Sequence, residues 1–406
     1  MDSAWWFIQE SIGMENEVRN ILTINGGSSS VKFSLYNVNG NLKQQLKGSI
    51  TRIGLQGAGL TVTRQNKECE RQPAKAHNMQ EAAGSLMDWL KKENHPGQLT
   101  AIGHRIVHGM NHTKAELVTP ALLNELHQIG DYDPDHLPGE VELIKAFAGQ
   151  YPQISQVACF DTVFHSTLPE LARLLPIPGR FRRAGIRRYG FHGLSYSYLM
   201  EDLAAKNPGA AKGKIILAHL GNGASMAAVR DGMSMDTSMG FTPAGGFLMG
   251  TRPGDLDPGV AAYMINKESL TGRQFNELIN HQSGLLGISE TSPDMLDLLR
   301  KQDTDPRAAE AIGLFCYQAK KWIGSFTAVL GGLDTLVFSG GIGENAAPVR
   351  AGICEGLKFM GIELDPEQNK KNARVISAKG SQVTVYVIPT DEELMIAKTV
   401  CRVLSL

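Results

Sequence analysis

No run in the 406-residue sequence is apolar over the ~18 to 20 residues that a bilayer-spanning helix requires, so no such span is expected. The first residues, MDSAWWFIQESIG, lack both a basic n-region and a small-residue cleavage site and do not read as a secretory signal. They read either as a dispensable extension ahead of Met14 or as an amphipathic helix that lays Trp5, Trp6 and Ile8 on the body. Cysteine is scarce. Cys69, Cys159, Cys316, Cys354 and Cys401 are odd in number and scattered, with no C-x-x-C pair. That excludes a disulfide framework and points to reduced thiols in the cytoplasm. Cys159 sits in the apolar run 156–160 and reads as a core residue rather than a nucleophile. No charge of one sign prevails either: 40 Lys and Arg stand against 41 Asp and Glu. No nucleic-acid or membrane-surface footprint is therefore expected, and any basic patch must be local. What remains is an ordinary globular composition, long enough for two domains and a large core without staples.

Strand signals come in repeated form. Ile21–Ile24 leads through the polar turn Asn25-Gly26-Gly27-Ser28-Ser29-Ser30 into the alternating run 31–38. Far downstream, Ile215–Leu220 leads through Gly221-Asn222-Gly223-Ala224-Ser225 into the run 226–230. Each phrase is an apolar strand, a turn rich in Asn, Gly and Ser, and a returning strand. Two copies at the starts of two halves predict an internal duplication. Helical periodicity covers 118–130, 139–150 and 307–330. A buried strand is expected over 333–338, entering Ser339-Gly340-Gly341-Ile342-Gly343-Glu344-Asn345 and then a helix. A last strand is expected over 383–388 and a last helix over 391–404. The alternation makes an α/β protein.

Three motif matches carry little. Gly209–Ile215 imitates a phosphate loop but is one residue short, lacks the Ser/Thr, and precedes a strand instead of following one. Gly341–Ala346 resembles a dinucleotide fingerprint without its context. His104, His108 and His112 have the four-residue spacing of helical zinc ligands. Their surroundings, 102–109, read instead as a strand entering a loop, where such residues lie too far apart to share one ion. The positive signal is the recurrence of Gly-rich turns beside apolar strands. Glycine lets backbone N–H groups approach a phosphate, and concave runs of N–H groups bind anions. Arg105, Asp161, His192 and Arg252 each stand at such a strand end, where α/β proteins gather ligands.

Together these phrases resemble the acetokinase family, within the acetate and sugar kinase/Hsp70/actin superfamily. The resemblance runs from residue 21 to about 400 through 25–33, 103–109, 160–165, 187–193, 219–225, 249–252 with Gly254-Asp255, 339–345, and Pro389-Thr390 with Glu392-Glu393. It implies two ribonuclease-H-like domains around a central cleft, as in actin-like ATPases, usually in a homodimer. The first would take residues 1–161, completed by the C-terminal helix 391–406. The nucleotide-binding second would take 162–390. It also implies reversible phosphoryl transfer between ATP and a small carboxylate, acetate first and propionate second, with Mg2+ or Mn2+.

The family pattern further implies roles for residues. Arg105 and Arg252 hold the carboxylate and the transferring phosphoryl group, His192 donates to that group, and Asp161 positions the acceptor. His136 joins the catalytic set. Asn25 and Glu392 organise the metal, and Val107, Phe191 and Pro243 line the methyl pocket with Arg105. Lys32, the run His219-Leu220-Gly221-Asn222-Gly223, Asp294, and Gly340, Gly341, Ile342, Gly343 and Asn345 contact the nucleotide, ATP or ADP. Such residue types suit phosphoryl transfer, which depends on positioning and charge stabilisation. The chain departs from the commonest family pattern at Asp135 and Leu137, at Leu194 and Tyr196, at Ala244 and Gly245, at Pro253 and at Leu296. The rival readings are a kinase for propionate or another short-chain carboxylate and, from a different class, a nucleotide-binding regulator. Such a regulator has no need of two arginines and an imidazole to grip a carboxylate.

Overall fold

The computed structural model describes residues 19–27, 29–66, 68–93 and 99–406, so the N-terminal extension and Ser28 lie outside the described residues. The chain forms two compact units. The first comprises the chain through Ile106, Lys114–Cys159 and Glu393–Leu406, and the second comprises Val107–Thr113 and Phe160–Glu392.

Eight strands make the sheet of the first unit: β1 (Asn20–Gly26), β2 (Ser30–Asn37), β3 (Lys43–Thr51), β4 (Gly59–Arg64), β5 (Cys69–Pro73), β6 (Leu99–Ile106), β7 (Glu116–Leu117) and β8 (Ser155–Phe160). Their order is β5-β4-β3-β2-β1-β6-β8-β7. β1 pairs antiparallel with β2 and parallel with β6. Every residue of β1 is buried, as a central strand covered on both faces requires. Leu22, Ile24 and Ile102 form one core with Leu86 and Leu90 of the helix Met79–Lys92 and Leu143 and Phe147 of the helix Leu137–Gln150. The C-terminal helix Glu392–Leu404 lies against β6 at Gly103. A side-chain carbon on Gly103 would stand 2.5 Å from Ile396 and 2.6 Å from Val400. Only glycine permits that approach.

In the second unit β9 (Lys214–Leu220), β10 (Ala224–Arg230), β11 (Met233–Thr237), β12 (Thr335–Ser339) and β13 (Thr384–Val387) follow the order β11-β10-β9-β12-β13. β9 and β10 are antiparallel, as are β10 and β11, whereas β12 runs parallel to β9 and β13. The same order, with the same antiparallel pair and parallel neighbour, appears in the first unit as β3-β2-β1-β6-β8. The two hairpins read as a duplicated phrase are thus the equivalent strands of two sheets. The helix Pro306–Leu330, capped by Asp305 and ended by Gly331 in the left-handed region, buries Ala311, Phe315, Ile323 and Phe326 against the second sheet's core.

The segment 107–113, placed by sequence with the first domain, clusters with the second unit. The reason is local packing. Gly109 N–H donates to Thr162 Oγ1 at 3.2 Å, and the His108 ring lies against Tyr189, Phe191 and Phe241.

Candidate active site

In the first unit the polar residues gather at the carboxyl ends of β1 and β6. Parallel pairing sets Ile24 opposite His104, which brings Asn25 and Arg105 to the same edge. Arg105 Nη1 donates to Asn25 Oδ1 at 3.1 Å, and Asn25 Nδ2 donates to Glu393 Oε1 at 3.2 Å. Glu393, which accepts this bond, is the neighbour of Glu392, the residue that the family pattern gives to the metal. Lys32 pairs across the hairpin with Asn25 and is exposed. His136 precedes the helix Leu137–Gln150 and is held through Nδ1 by Asp133 Oδ1 at 2.8 Å. His104 points elsewhere: its Nε2 meets Gln156 Oε1 at 2.6 Å inside the core, and burial pushes its pKa down to about 4.

The second unit holds the larger group. His192 adopts φ 60°, ψ 25°, a left-handed conformation uncommon outside glycine, just before the helix Gly193–Lys206. Gly193 N–H donates to the Asp161 carbonyl at 2.9 Å, and a side-chain carbon on Gly193 would stand 2.0 Å from that oxygen. Glycine therefore lets the helix start against the buried Asp161 at the end of β8. The His192 ring is fixed by Ser225 Oγ at 2.8 Å from Nδ1 and by stacking on His219, with ring centres 4.3 Å apart. Ser225 is itself held by Tyr196 at 2.5 Å, and His219 by Ser195 at 2.8 Å. Burial raises the Tyr196 pKa, so this phenol stays protonated. Ser195, which keeps the commonest family pattern, and Tyr196, which departs from it, thus brace the two imidazoles.

Arg252 comes to the same place from another loop. A side-chain carbon on Gly223 would stand 2.8 Å from Arg252 Nη2 and 3.3 Å from His192 Nε2. The guanidinium and the imidazole thus both face the bare backbone of the Gly221–Gly223 turn. Arg252 Nη1 donates to the Pro243 carbonyl at 2.7 Å. Asp255 accepts from Gly246 N–H at 2.9 Å, and Asp257 caps the helix Pro258–Glu268. Pro253 keeps Arg252 out of helical geometry.

The Gly-rich turns adjoin one another. A side-chain carbon on Gly221 would stand 3.9 Å from Gly341 N, and one on Gly340 would stand 2.6 Å from the Leu220 carbonyl. Gly340, at φ 75°, donates its N–H to Glu344 Oε1 at 2.9 Å, and Asn345 Nδ2 donates to the Gly341 carbonyl. Asn222 is pressed against Gly250, whose N–H donates to the Asn222 carbonyl at 3.0 Å. His219 is buried beside this turn, while Ile342 and Gly343 lie in the short helix Gly340–Asn345 that packs on β9. Asp294 caps the helix Met295–Lys301, accepting from Leu296 N–H at 2.7 Å, a structural task the sequence did not suggest.

Val107 and Phe191 are buried in one cluster with Tyr189, and Pro243 is half-buried. His108 accepts from Met110 N–H through Nδ1 and approaches the Phe241 carbonyl through Nε2 at 3.1 Å, an arrangement that fits the neutral Nε2–H tautomer. Two residues that sequence reasoning did not single out support the site. His165 bonds through Nε2 to the Phe191 carbonyl at 3.1 Å and through Nδ1 to Ser234, and burial pushes its pKa down to about 4. Arg350, fully buried, donates to the Gly343 carbonyl at 2.8 Å and to Asn369 and Asn372, tying the Gly340–Gly343 turn to the helix Pro366–Lys370 and the residues after it.

A family model described as the acetokinase family matches residues 20–398. The chain belongs to the acetokinase family. It is 42% identical over 392 residues to a propionate kinase of Citrobacter rodentium, covering 94% of this chain and 96% of that one. Against an acetate kinase of Rhodopseudomonas palustris it is 40% identical over 392 residues, covering 94% and 98%. The crystal structure of an acetate kinase from Porphyromonas gingivalis superposes with a TM-score of 0.86 at 35% identity, covering 95% of this chain and all of that one. A propionate kinase from Francisella tularensis gives 0.88 at 35% identity, covering 94% and 98%. The chain is an α/β protein whose two five-strand orders, β3-β2-β1-β6-β8 and β11-β10-β9-β12-β13, carry the actin-like ATPase fold. No helix among the described residues is long and apolar enough to cross a membrane.

Proposed function

We propose that this chain transfers the γ-phosphoryl group of ATP reversibly to acetate, giving acetyl phosphate and ADP. The observation that carries the reading is the convergence of Arg252 and His192 on the Gly223 backbone, beside Asn222 and the Gly340 turn. In the forward direction an acetate oxygen attacks the γ-phosphorus, the bond from that phosphorus to the β–γ bridging oxygen breaks, and ADP leaves with the electron pair. The charge spread over the transferring group is met by the Arg252 guanidinium and the His192 Nε2 hydrogen, both held in place beforehand. The neutral Gly-rich turns present backbone N–H groups to the remaining phosphates. We assign Arg105 to the acetate carboxylate, Asp161 and His136 to orienting the acceptor side, and Val107, Phe191 and Pro243 to the methyl group.

The donor types of Asn25 and Glu392, an amide oxygen and a carboxylate, suit a hard cation, and these residues would hold Mg2+ or Mn2+. When bound, the ion supplies Lewis acidity toward the phosphate oxygens. Glu393, through its bond to Asn25, fixes the amide so that its oxygen is oriented. Five free cysteines fit a reducing, cytoplasmic setting, and we add a homodimer to the proposal on the family resemblance alone.

The relatives named propionate kinase favour propionate as a second substrate. Hydroxylamine trapping of acyl phosphate, run with ATP, acetate and propionate, tests the proposal. Product with acetate that disappears when divalent metal is chelated supports it. The absence of acyl phosphate with either acid, or turnover unchanged by chelation, counts against it.

A further inference from the structure

A second charged site lies in the same unit, outside the side chains assigned above. A cavity of about 760 Å3 is lined by Glu170 and four arginines, Arg173, Arg182, Arg183 and Arg187, together with residues that include Met110 and Asn111. Its origin is visible in the sequence. Residues 171–200 contain six arginines and no Asp or Glu, in a chain whose net charge is −1.

Not all six are equivalent. Arg188 is consumed by structure, donating to the carbonyls of Ala172, Thr237, Ser238 and Met239. Arg180 lies over the Phe181 ring, outside the lining. The four lining arginines differ from both. Arg173 is anchored by the Ser166 carbonyl. Arg187 is anchored by Asn111 Oδ1 at 3.1 Å and lies over Tyr189, 4.9 Å from its ring centre. Arg182 and Arg183 end the short helix Gly179–Arg183 and are exposed. The anchors of Arg173 and Arg187 are neutral, and among the described residues none of the four forms an ion pair with a carboxylate. Burial, followed by the charge of Arg187, lowers the Arg173 pKa.

Four guanidinium groups, two of them anchored, line one concavity with a single carboxylate, Glu170, and their mutual repulsion leaves the cavity positive. Guanidinium forks match carboxylate and phosphate oxygens in paired hydrogen bonds. We propose that this cavity binds a small polyanion, a compact molecule with three or more phosphate or carboxylate charges, at a site separate from the nucleotide turns. Arg173 and Arg187 form its fixed floor, and Arg182 and Arg183 close over the ligand.

Calorimetric titration of the full chain tests this, with inorganic tripolyphosphate in one arm and tricarballylate in the other, at low salt and without divalent metal. Binding of at least one anion is expected, weakened about a hundredfold or more when Arg182→Ser and Arg183→Ser are combined, since two charge-assisted contacts are lost. These side chains are exposed, so unchanged thermal melting will show an intact fold. Asn222→Ala, on the nucleotide turn, and Arg180→Ser, outside the lining, are expected to leave binding unchanged. Tripolyphosphate alone would mark a phosphate site, and both anions a site that counts charge. Neither anion binding overturns the proposal. So does binding lost with Asn222→Ala but kept in the double variant, which would put the anion on the nucleotide turns. Equal weakening by Arg180→Ser would reveal diffuse attraction, and tighter binding of duplex DNA sensitive to the same variants would reveal a nucleic-acid surface. Either result also overturns it.

Discussion

Arg252 donates through Nη1 to the Pro243 carbonyl at 2.7 Å, so a residue assigned to the phosphoryl group is fixed to one assigned to the methyl pocket. Its other nitrogen, Nη2, remains beside Gly223. Arg252→Ala is expected to lower kcat by about 10² to 10⁵, the cost of removing comparable charge-stabilising groups. Thermal melting should change little, because Asp255 and Asp257 are satisfied without it. Near-normal kcat, or a melting temperature that collapses with activity, would remove Arg252 from the chemistry.

Gly223→Ala probes the same pair from the backbone side. The added carbon meets Arg252 Nη2 at 2.8 Å and His192 Nε2 at 3.3 Å, and both are ends of side chains that can yield. The fold should survive while the two donors are pushed off position, with kcat falling tenfold to a hundredfold, on the order of the cost of ~1 Å misplacement. Activity equal to the parent would show that the turn does not set their positions.

Val107→Ala should shift preference toward propionate. Val107 is 2% exposed in the cluster with Phe191, and its smaller replacement makes room for one more carbon. A methylene in such a pocket is worth about 1 to 3 kcal/mol, so propionate over acetate in kcat/KM should rise roughly tenfold. An unchanged ratio would take Val107 out of the pocket.

Acid should weaken the fold through two histidines. His104 and His165 are held near pKa 4 by burial, well below the value of about 6.5 expected in an unfolded chain. Their contribution is complete above pH 6.5. Below it the unfolded chain binds protons that the folded chain refuses, and stability falls by up to about 1.4 kcal/mol per pH unit for each histidine until about pH 4. Melting measured from pH 7.5 to 5 should show this slope, and His104→Gln should flatten it by one proton's share. Parallel slopes in parent and variant would refute the assignment.

The fold was largely legible because its signals are local. The strands around Asn25 and Asn222 announce themselves by apolar runs broken at polar, glycine-rich turns, and the helix Pro306–Leu330 by its periodicity and caps. What escaped depends on approach between distant segments. The bond from Asn25 to Glu393 joins residues 368 positions apart, and it depends on the last helix settling against β6 at Gly103. The move of 107–113 to the second unit follows from ring packing around His108, which no sequence pattern encodes. Arg350 had no motif around it, yet its guanidinium organises the Gly340–Gly343 turn. The arginines of 173–187 were visible as letters. Their convergence on one cavity was not.

The helix seated on Gly103 also fixes an order of events during synthesis. β6 emerges from the ribosome early, but Ile396 and Val400, which cover it, are made last. At ~5 to 20 residues per second, about 15 to 60 seconds separate the two, during which the second unit can already have folded. The nascent first unit must wait through that interval with an apolar groove open to chaperones and to other chains. The half of the protein that is made first is the half that closes last.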